Sequence, residues 1–233
     1  MNDQSQVQGS LNASDHYQGA AGIKYFDWQN RLGELSGKIE AKKFRKYVKP
    51  SDSVLDFGCG GGHCLRNLDC ARRVGVEINP AARMAAAGSI ECYESIASVE
   101  DSTFDVIISN HALEHVPSPI DTLRALWSKL KPSGVLVLCV PVDDWRTQLN
   151  YDPADINHHL HTWTPQLLGN SLFEAGFKVD QASIRVLTHA WFPGIARLYA
   201  RLPEPVFDLC CRFVAVLFKR RQLLAIATKR CDS

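Results

Sequence analysis

Residues 54–65 read VLDFGCGGGHCL. An apolar run admits one acid, Asp56, and passes directly into glycines at positions 58, 60, 61 and 62. A strand-to-helix turn needs about one glycine for its positive φ. Giving up side chains at alternate positions suits a backbone against which something must lie. The spacing is G-x-G-x-G. A dinucleotide fingerprint, G-x-G-x-x-G counted from Gly58, would put its last glycine where His63 stands, and it expects an apolar residue in place of Asp56. A buried carboxylate left without a partner is costly. The turn therefore asks for a cationic ligand.

Outward from this turn, short apolar runs alternate with amphipathic stretches. Strands are predicted at Val54–Phe57, Arg73–Ile78, Phe104–Ser109 and Val135–Val140. Their unbroken apolar character suits strands covered on both faces, as in a parallel sheet. In SPIDTLRALWSKLKPSG, the residues Ile120, Leu123, Leu126, Trp127 and Leu130 share one helical face. Ser118 is placed to cap that helix, Pro119 to open it and Gly134 to end it. TPQLLGNSLFEAGF repeats the pattern with Thr164, Pro165 and Gly176. Two closing strands, Phe177–Leu187 and Gln222–Thr228, follow. Together these predict a doubly wound α/β sheet.

Two pieces fall outside the alternation. A leading helix is expected over 27–47, and 188–221 is expected as a helical insertion, apolar and aromatic with interspersed arginines. Within it, Val206–Phe218 carries Asp208 and Arg212 and is too short for a bilayer, which takes about 20 apolar residues. Residues 1–24 read as a disordered polar tail without a secretory signal, and 25–230 as one domain. The net charge of +1 gives no global field for nucleic acid. Eight cysteines, none in a C-x-x-C pair, fall partly inside apolar runs. They are expected as free thiols in a reducing cytoplasm, neither a disulfide framework nor a zinc site.

VLDFGCGGG resembles motif I of the class I S-adenosylmethionine-dependent methyltransferases. The resemblance implies a Rossmann-like seven-stranded sheet with an antiparallel last strand. It implies that Asp56 interacts with the cofactor's amino group, often through water, and that Gly58, Cys59, Gly60 and Gly62 wrap its methionine portion. Glu77, nineteen residues after Gly58, would accept hydrogen bonds from the ribose hydroxyls, with Ile78 against the adenine. FDVIISNHALEHVPSP resembles the family's fourth-strand motif, so Asn110 and His111 would line the methionine end. LKPSGVLVLCVP resembles its fifth-strand motif, and QLLAIAT its antiparallel seventh strand. NHHLHTWTPQLLGNSLFEAGF resembles a segment of the subgroup acting on small molecules and sugars. The likeness covers 45–230. Glu94 or the backbone around Ile96 would read the adenine amino group. Tyr25 is left between capping the methionine carboxylate and packing in the core.

The same resemblance frames the chemistry. The N-P-P-Y type of motif used on amide and adenine nitrogens would follow Ser109, where NHAL stands, which argues against DNA adenine or protein glutamine as acceptor. His111 is expected to face the site. His159 and His161, in NHHLH, are candidate bases for an acceptor hydroxyl. Their spacing resembles metal ligands, but without partnering cysteines or carboxylates no metal is assigned. His115 is read as a contact at a helix start, and His63 as a first-turn helix residue. The 188–221 insertion admits three readings: a lid whose Trp191 and Phe192 shape the substrate site, a homodimer contact, or a membrane-surface face with Lys219, Arg220 and Arg221. The expected activity is cytoplasmic methyl transfer from S-adenosylmethionine to a small-molecule or sugar-bearing acceptor, oxygen favoured. Its rivals are a protein that binds the cofactor without catalysis, a nicotinamide-dependent oxidoreductase, and a membrane-associated enzyme with a lipid-linked acceptor.

Overall fold

The computed structural model describes residues 16–30, 33–143, 146, 148–152, 155–189, 198–199 and 201–229. Its central strands send alternate residues into two separate cores. Val54, Val106, Ile108, Val137 and Cys139 pack with Phe44 and Leu65 on one face. Leu55, Ile107, Leu136 and Leu138 pack with Leu123 and Leu168 on the other. This double covering is why the strands read as continuous apolar runs.

Among the described residues the sheet has eight strands: β1 (Ser53–Phe57), β2 (Arg72–Val76), β3 (Glu91–Tyr93), β4 (Phe104–Asn110), β5 (Leu130–Val142), β6 (Phe177–Lys178), β7 (Ile184–Thr188) and β8 (Arg221–Lys229). The order is β3-β2-β1-β4-β5-β8-β6, with β7 also on β8. Strands β1 to β5 pair in parallel, and β8 runs antiparallel to β5, β6 and β7. The fold is the expected doubly wound α/β sheet with its antiparallel last strand.

Three boundaries differ from the sequence reading. The expected strand Phe177–Leu187 is broken by a turn at Gln181–Ser183, so seven strands become eight. There Asp180 Oδ1 accepts the Ser183 N–H at 2.9 Å, and Ser183 Oγ accepts the Asp180 N–H at 3.0 Å. Such local bonds compete with the sheet ladder. The short edge strand β3, Glu-Cys-Tyr, carries no apolar run that could announce it. The helix α5 (Pro119–Lys129) stops before Gly134, because Pro132 disfavours helical backbone ahead of it and Leu130 is already core.

The leading helix is divided into α1 (Gly19–Asn30), α2 (Gly33–Glu40) and two 3-10 turns reaching Tyr47. α1 begins inside the stretch expected as a tail; residues 1–15 lie outside the described ones. α2 presses on α3 (His63–Arg66) so closely that a Cβ at Gly37 would stand 2.4 Å from the His63 carbonyl carbon. The remaining helices are α4 (Pro80–Ala86), α6 (Pro165–Glu174) and α7 (Glu204–Leu217). α6 matches its signals: Thr164 Oγ1 caps the Leu167 N–H at 3.1 Å, and Gly176 takes φ +97°.

Helix α7 is the described helix of the insertion. It buries Phe207 and Cys211 against Ile39 of α2, and Lys42 ties Glu204 and Asp208 at 2.7 and 3.1 Å. Trp191 and Phe192 lie outside the described residues. No described helix is long and apolar enough to cross a membrane. None of the seven described cysteines is paired in a disulfide.

Candidate active site

The carboxyl ends of β1, β2 and β4 open into a cavity of about 950 Å³. The glycine turn forms its floor. Gly58 (φ +76°) donates its N–H to Val76 at 2.8 Å, and a Cβ there would stand 2.4 Å from the Ala112 Cβ. Gly60 (φ +53°) is different: a Cβ would meet nothing nearer than Gln29 Oε1 at 3.9 Å, because it would enter the cleft. Gly62 (φ +77°) begins α3 under Ile90, 2.4 Å from where its Cβ would be, and does not line the cavity. One glycine admits a ligand; the other two let the chain turn and pack.

Tyr25, Asp56, Gly58, Cys59, Gly60, Glu77, Ile78, Asn110 and His111 all line this one cavity, whereas residues 94–97 do not. Glu94 instead pairs with Arg83 at 3.3 Å. Tyr25 faces the cavity and packs its ring edge-on to Tyr17.

Among the described residues three carboxylates line the cavity, Glu40, Asp56 and Glu77, and the last two lie beside the glycine turn. Asp56 is 2% exposed and accepts no hydrogen bond from the described residues. Burial first, and then the Glu77 charge, push its pKa up to about 8. Each Glu77 oxygen accepts one backbone N–H, from Gly60 at 2.9 Å and from Asn79 at 2.8 Å. Burial raises the Glu77 pKa, and those N–H groups oppose it. A carboxylate oxygen has two lone pairs, so each can accept one further donor. The site thus presents an unpartnered carboxyl group, which a cation would ionise, and a spare pair of acceptors to an open glycine backbone. A group with an ammonium and a vicinal diol fits that set.

Beneath the cleft lies a polar floor that the sequence did not announce. Lys43 Nζ donates to Asn110 Oδ1 at 2.7 Å, Cys139 Sγ at 3.2 Å and Gln222 Oε1 at 3.1 Å, and pairs with buried Glu40. Burial opposes its charge, but Cys139 and Glu40 outweigh it and raise its pKa. His111, with φ +54°, bonds Gln222 Oε1 through Nε2 at 3.1 Å and faces Glu114 through Nδ1 at 3.5 Å. Burial favours its neutral ring, but Cys139 and Glu114 prevail and hold the ring protonated well above the usual range. Lys43 sits in the run KKFRK, which reads as a solvated face. Gln222 opens a strand and could have been flagged as a polar residue bound for the interior.

The other histidines gather at one end. His115, read from the sequence as a structural contact, lines the cavity and bonds the Tyr17 hydroxyl through Nδ1 at 2.7 Å. Burial lowers its pKa, so it is neutral. His159 stands behind it, ring centroids 4.9 Å apart, with Nδ1 2.7 Å from Asp143 Oδ2. His161 is not brought to the cavity: its Nε2 bonds the Val116 carbonyl at 2.9 Å, and it serves as a strut. Donor atoms of Glu114, His115 and His159 lie within 4.8 Å of one another. The carboxylate partner that the sequence lacked beside its histidines is thus supplied by the fold, and the three could hold a cation. Of the described residues in 188–221, His189 and Arg220 reach the cavity.

A sequence profile of the methyltransferase domain matches residues 26–182. The chain belongs to that family. Its relatives include the ubiquinone biosynthesis O-methyltransferase of Xanthomonas campestris pv. campestris, 33% identical over 103 residues, 38% of this chain and 43% of that protein. The enzyme of the same name from Roseobacter denitrificans is 34% identical over 153 residues, 58% of this chain and 60% of that one. The matches thus span about half the length of these relatives. The fold agrees with a SAM-dependent methyltransferase from Archaeoglobus fulgidus, at TM-score 0.60 and 20% identity over 88% of this chain and 99% of that one. The methyltransferase-domain assignment makes S-adenosylmethionine the cofactor to be tested against the cavity, and the ammonium and diol of that molecule are donors for the acceptor set described above.

Proposed function

We propose that this methyltransferase-domain protein transfers the methyl group of S-adenosylmethionine to a hydroxyl of a small molecule. The observation that carries the reading is the buried, unpartnered Asp56 carboxylate beside the open approach at Gly60. Asp56 would hold the cofactor's ammonium, Glu77 its ribose diol, and Ile78 the adenine face. Tyr25, Asn110 and the Gly58–Gly60 backbone would flank the methionine end. When bound, the cofactor supplies an electrophilic methyl group. A cavity of about 950 Å³ is at the top of the roughly 300–1,000 Å³ range of small-molecule sites and has room for a second ligand.

The chain's own residues then orient the acceptor, exclude water and take up its proton. His111, held protonated, donates rather than accepts. Neutral His115 at the cavity wall, backed by the Asp143-held His159, receives the proton. The names of the relatives favour oxygen as the acceptor atom; a sugar-bearing acceptor rests on the sequence resemblance. The test is calorimetry with S-adenosylhomocysteine, followed by labelled methyl transfer to panels of phenols and sugar hydroxyls. Cofactor binding abolished in Asp56→Ala, with turnover on a hydroxyl acceptor in the unmodified protein, is expected. Binding without turnover on any acceptor would make this a binding protein. Turnover lost on chelation and restored by a divalent cation would make His115 and His159 ligands instead of bases.

A further inference from the structure

Helix α7 has two apolar faces, and the fold uses one. Phe207, Cys211 and Ala215 are buried, while Leu209, Phe213, Val216 and Leu217 on the far side are 61–67% exposed, and Phe218 beyond the helix end is 71% exposed. A helix facing water carries charge on that side. Here the charges lie around the ridge instead. Both acids of the segment, Glu204 and Asp208, turn to Lys42. Arg212, Lys219 and Arg221 are exposed along its edge and end. Residues 201–221 hold five basic and two acidic side chains, in a chain whose net charge is only +1.

We propose that this ridge docks on an anionic phospholipid surface, α7 lying in the plane of the headgroups with its outer apolar side chains in the acyl boundary. Fourteen residues make a rod of about 21 Å, long enough to lie on a bilayer and too short to cross it. An apolar stripe rimmed by Arg and Lys is the pattern that partitions into such interfaces. A second copy of the chain is the poorer occupant, because a two-fold contact would set the same basic rim against itself. The ridge also runs on to Arg220, which lines the cavity. Docking would therefore hold the mouth of the cleft beside the membrane. The inference is independent of methyl transfer, since its test needs no cofactor.

The test is co-sedimentation of the full chain with phosphatidylcholine vesicles, with and without about one third phosphatidylglycerol. Binding to the anionic vesicles, weakened by added salt, is expected. Leu209→Glu/Phe213→Glu and Lys219→Glu/Arg221→Glu should each lower the partition coefficient by about tenfold or more. All four positions are exposed, so melting temperature and S-adenosylhomocysteine affinity should match the unmodified protein. Protein that stays in the supernatant, binds neutral vesicles equally well, or binds undiminished in both variants overturns the proposal. So does a dimer that Leu209→Glu/Phe213→Glu disperses while no vesicle binding is seen, which would give the face to a second copy.

Discussion

His159 Nδ1 lies 2.7 Å from a carboxylate oxygen of Asp143, residues sixteen positions apart joined behind the cavity-lining His115. The bond fixes the ring and leaves Nε2 to exchange a proton. Burial alone would lower the ring's pKa, but Asp143 outweighs it and raises the value. To take on the proton that His115 receives, His159 must be neutral, so turnover should rise with pH through that raised value. Asp143→Asn should move the acidic limb of the kcat/KM profile to lower pH. His159→Ala should cost on the order of 10²-fold or more in kcat while sparing cofactor affinity. The stabilising contribution of the protonated pair has the opposite trend: full below about 6.5 and lost as pH rises through the folded value. An unmoved acidic limb in Asp143→Asn would remove His159 from the proton path.

Asp56 titrates in the same direction but for a different cause. Its carboxyl, near 3.8 when free, is pushed up to about 8 by burial and the Glu77 charge. The folded protein therefore holds a proton that the unfolded chain releases, and ligand-free stability should fall as pH climbs from about 4 to 8. Asp56→Asn should flatten that decline, seen as a smaller drop in melting temperature. A cationic ligand favours the ionised form, so cofactor binding near neutral pH should release a proton. Calorimetry in buffers of different ionisation enthalpy would detect it, and the absence of any proton release would count against the contact.

The glycines should separate by function. Gly60→Ala places a methyl in open cleft space and bends no neighbour, so it should abolish cofactor binding with a stability loss of about 1–2 kcal/mol from the left-handed backbone. Gly58→Ala and Gly62→Ala drive the methyl to 2.4 Å from Ala112 and Ile90. They should destabilise by more, first and foremost as folding defects. Denaturant titration beside ligand binding distinguishes the two classes.

Lys43 and Glu40 form a buried pair, each side chain 8% exposed. Lys43→Met strands the acid and should cost about 3–5 kcal/mol, whereas Glu40→Leu/Lys43→Met should recover much of it. If the single variant unfolds at the same urea concentration as the unmodified chain, the floor is not held by charge.

The glycine end of the cavity was legible because its logic is local. Asp56, the alternate glycines and Glu77 lie within 22 residues and follow from strand, turn and strand. The histidine end was not, because it is assembled from distant segments. Tyr17 meets His115 across 98 positions, and Lys43 meets Gln222 across 179. No periodicity encodes such meetings. His115 meets its partners Tyr17 and His159 only in the fold, and the Val116 carbonyl sets His161 apart from His159. Errors in the elements had similar roots. The break after Lys178 depends on two side-chain bonds, and β3 on pairing with β2 rather than on its own residues.

Strand β8 is the last of the sheet in chain order, yet it lies inside the sheet, between β5 and the β6–β7 edge, and carries Gln222 into the polar floor. On the ribosome, the glycine turn and the cavity carboxylates Glu40, Asp56 and Glu77 emerge long before it. A nascent chain halted short of residue 221 would own the cofactor-facing half of the cleft, with Lys43 and His111 both missing their shared acceptor and β5 an uncovered edge. Quality control that senses exposed strand edges would have a long window on this protein, closing only as the final strand slots home.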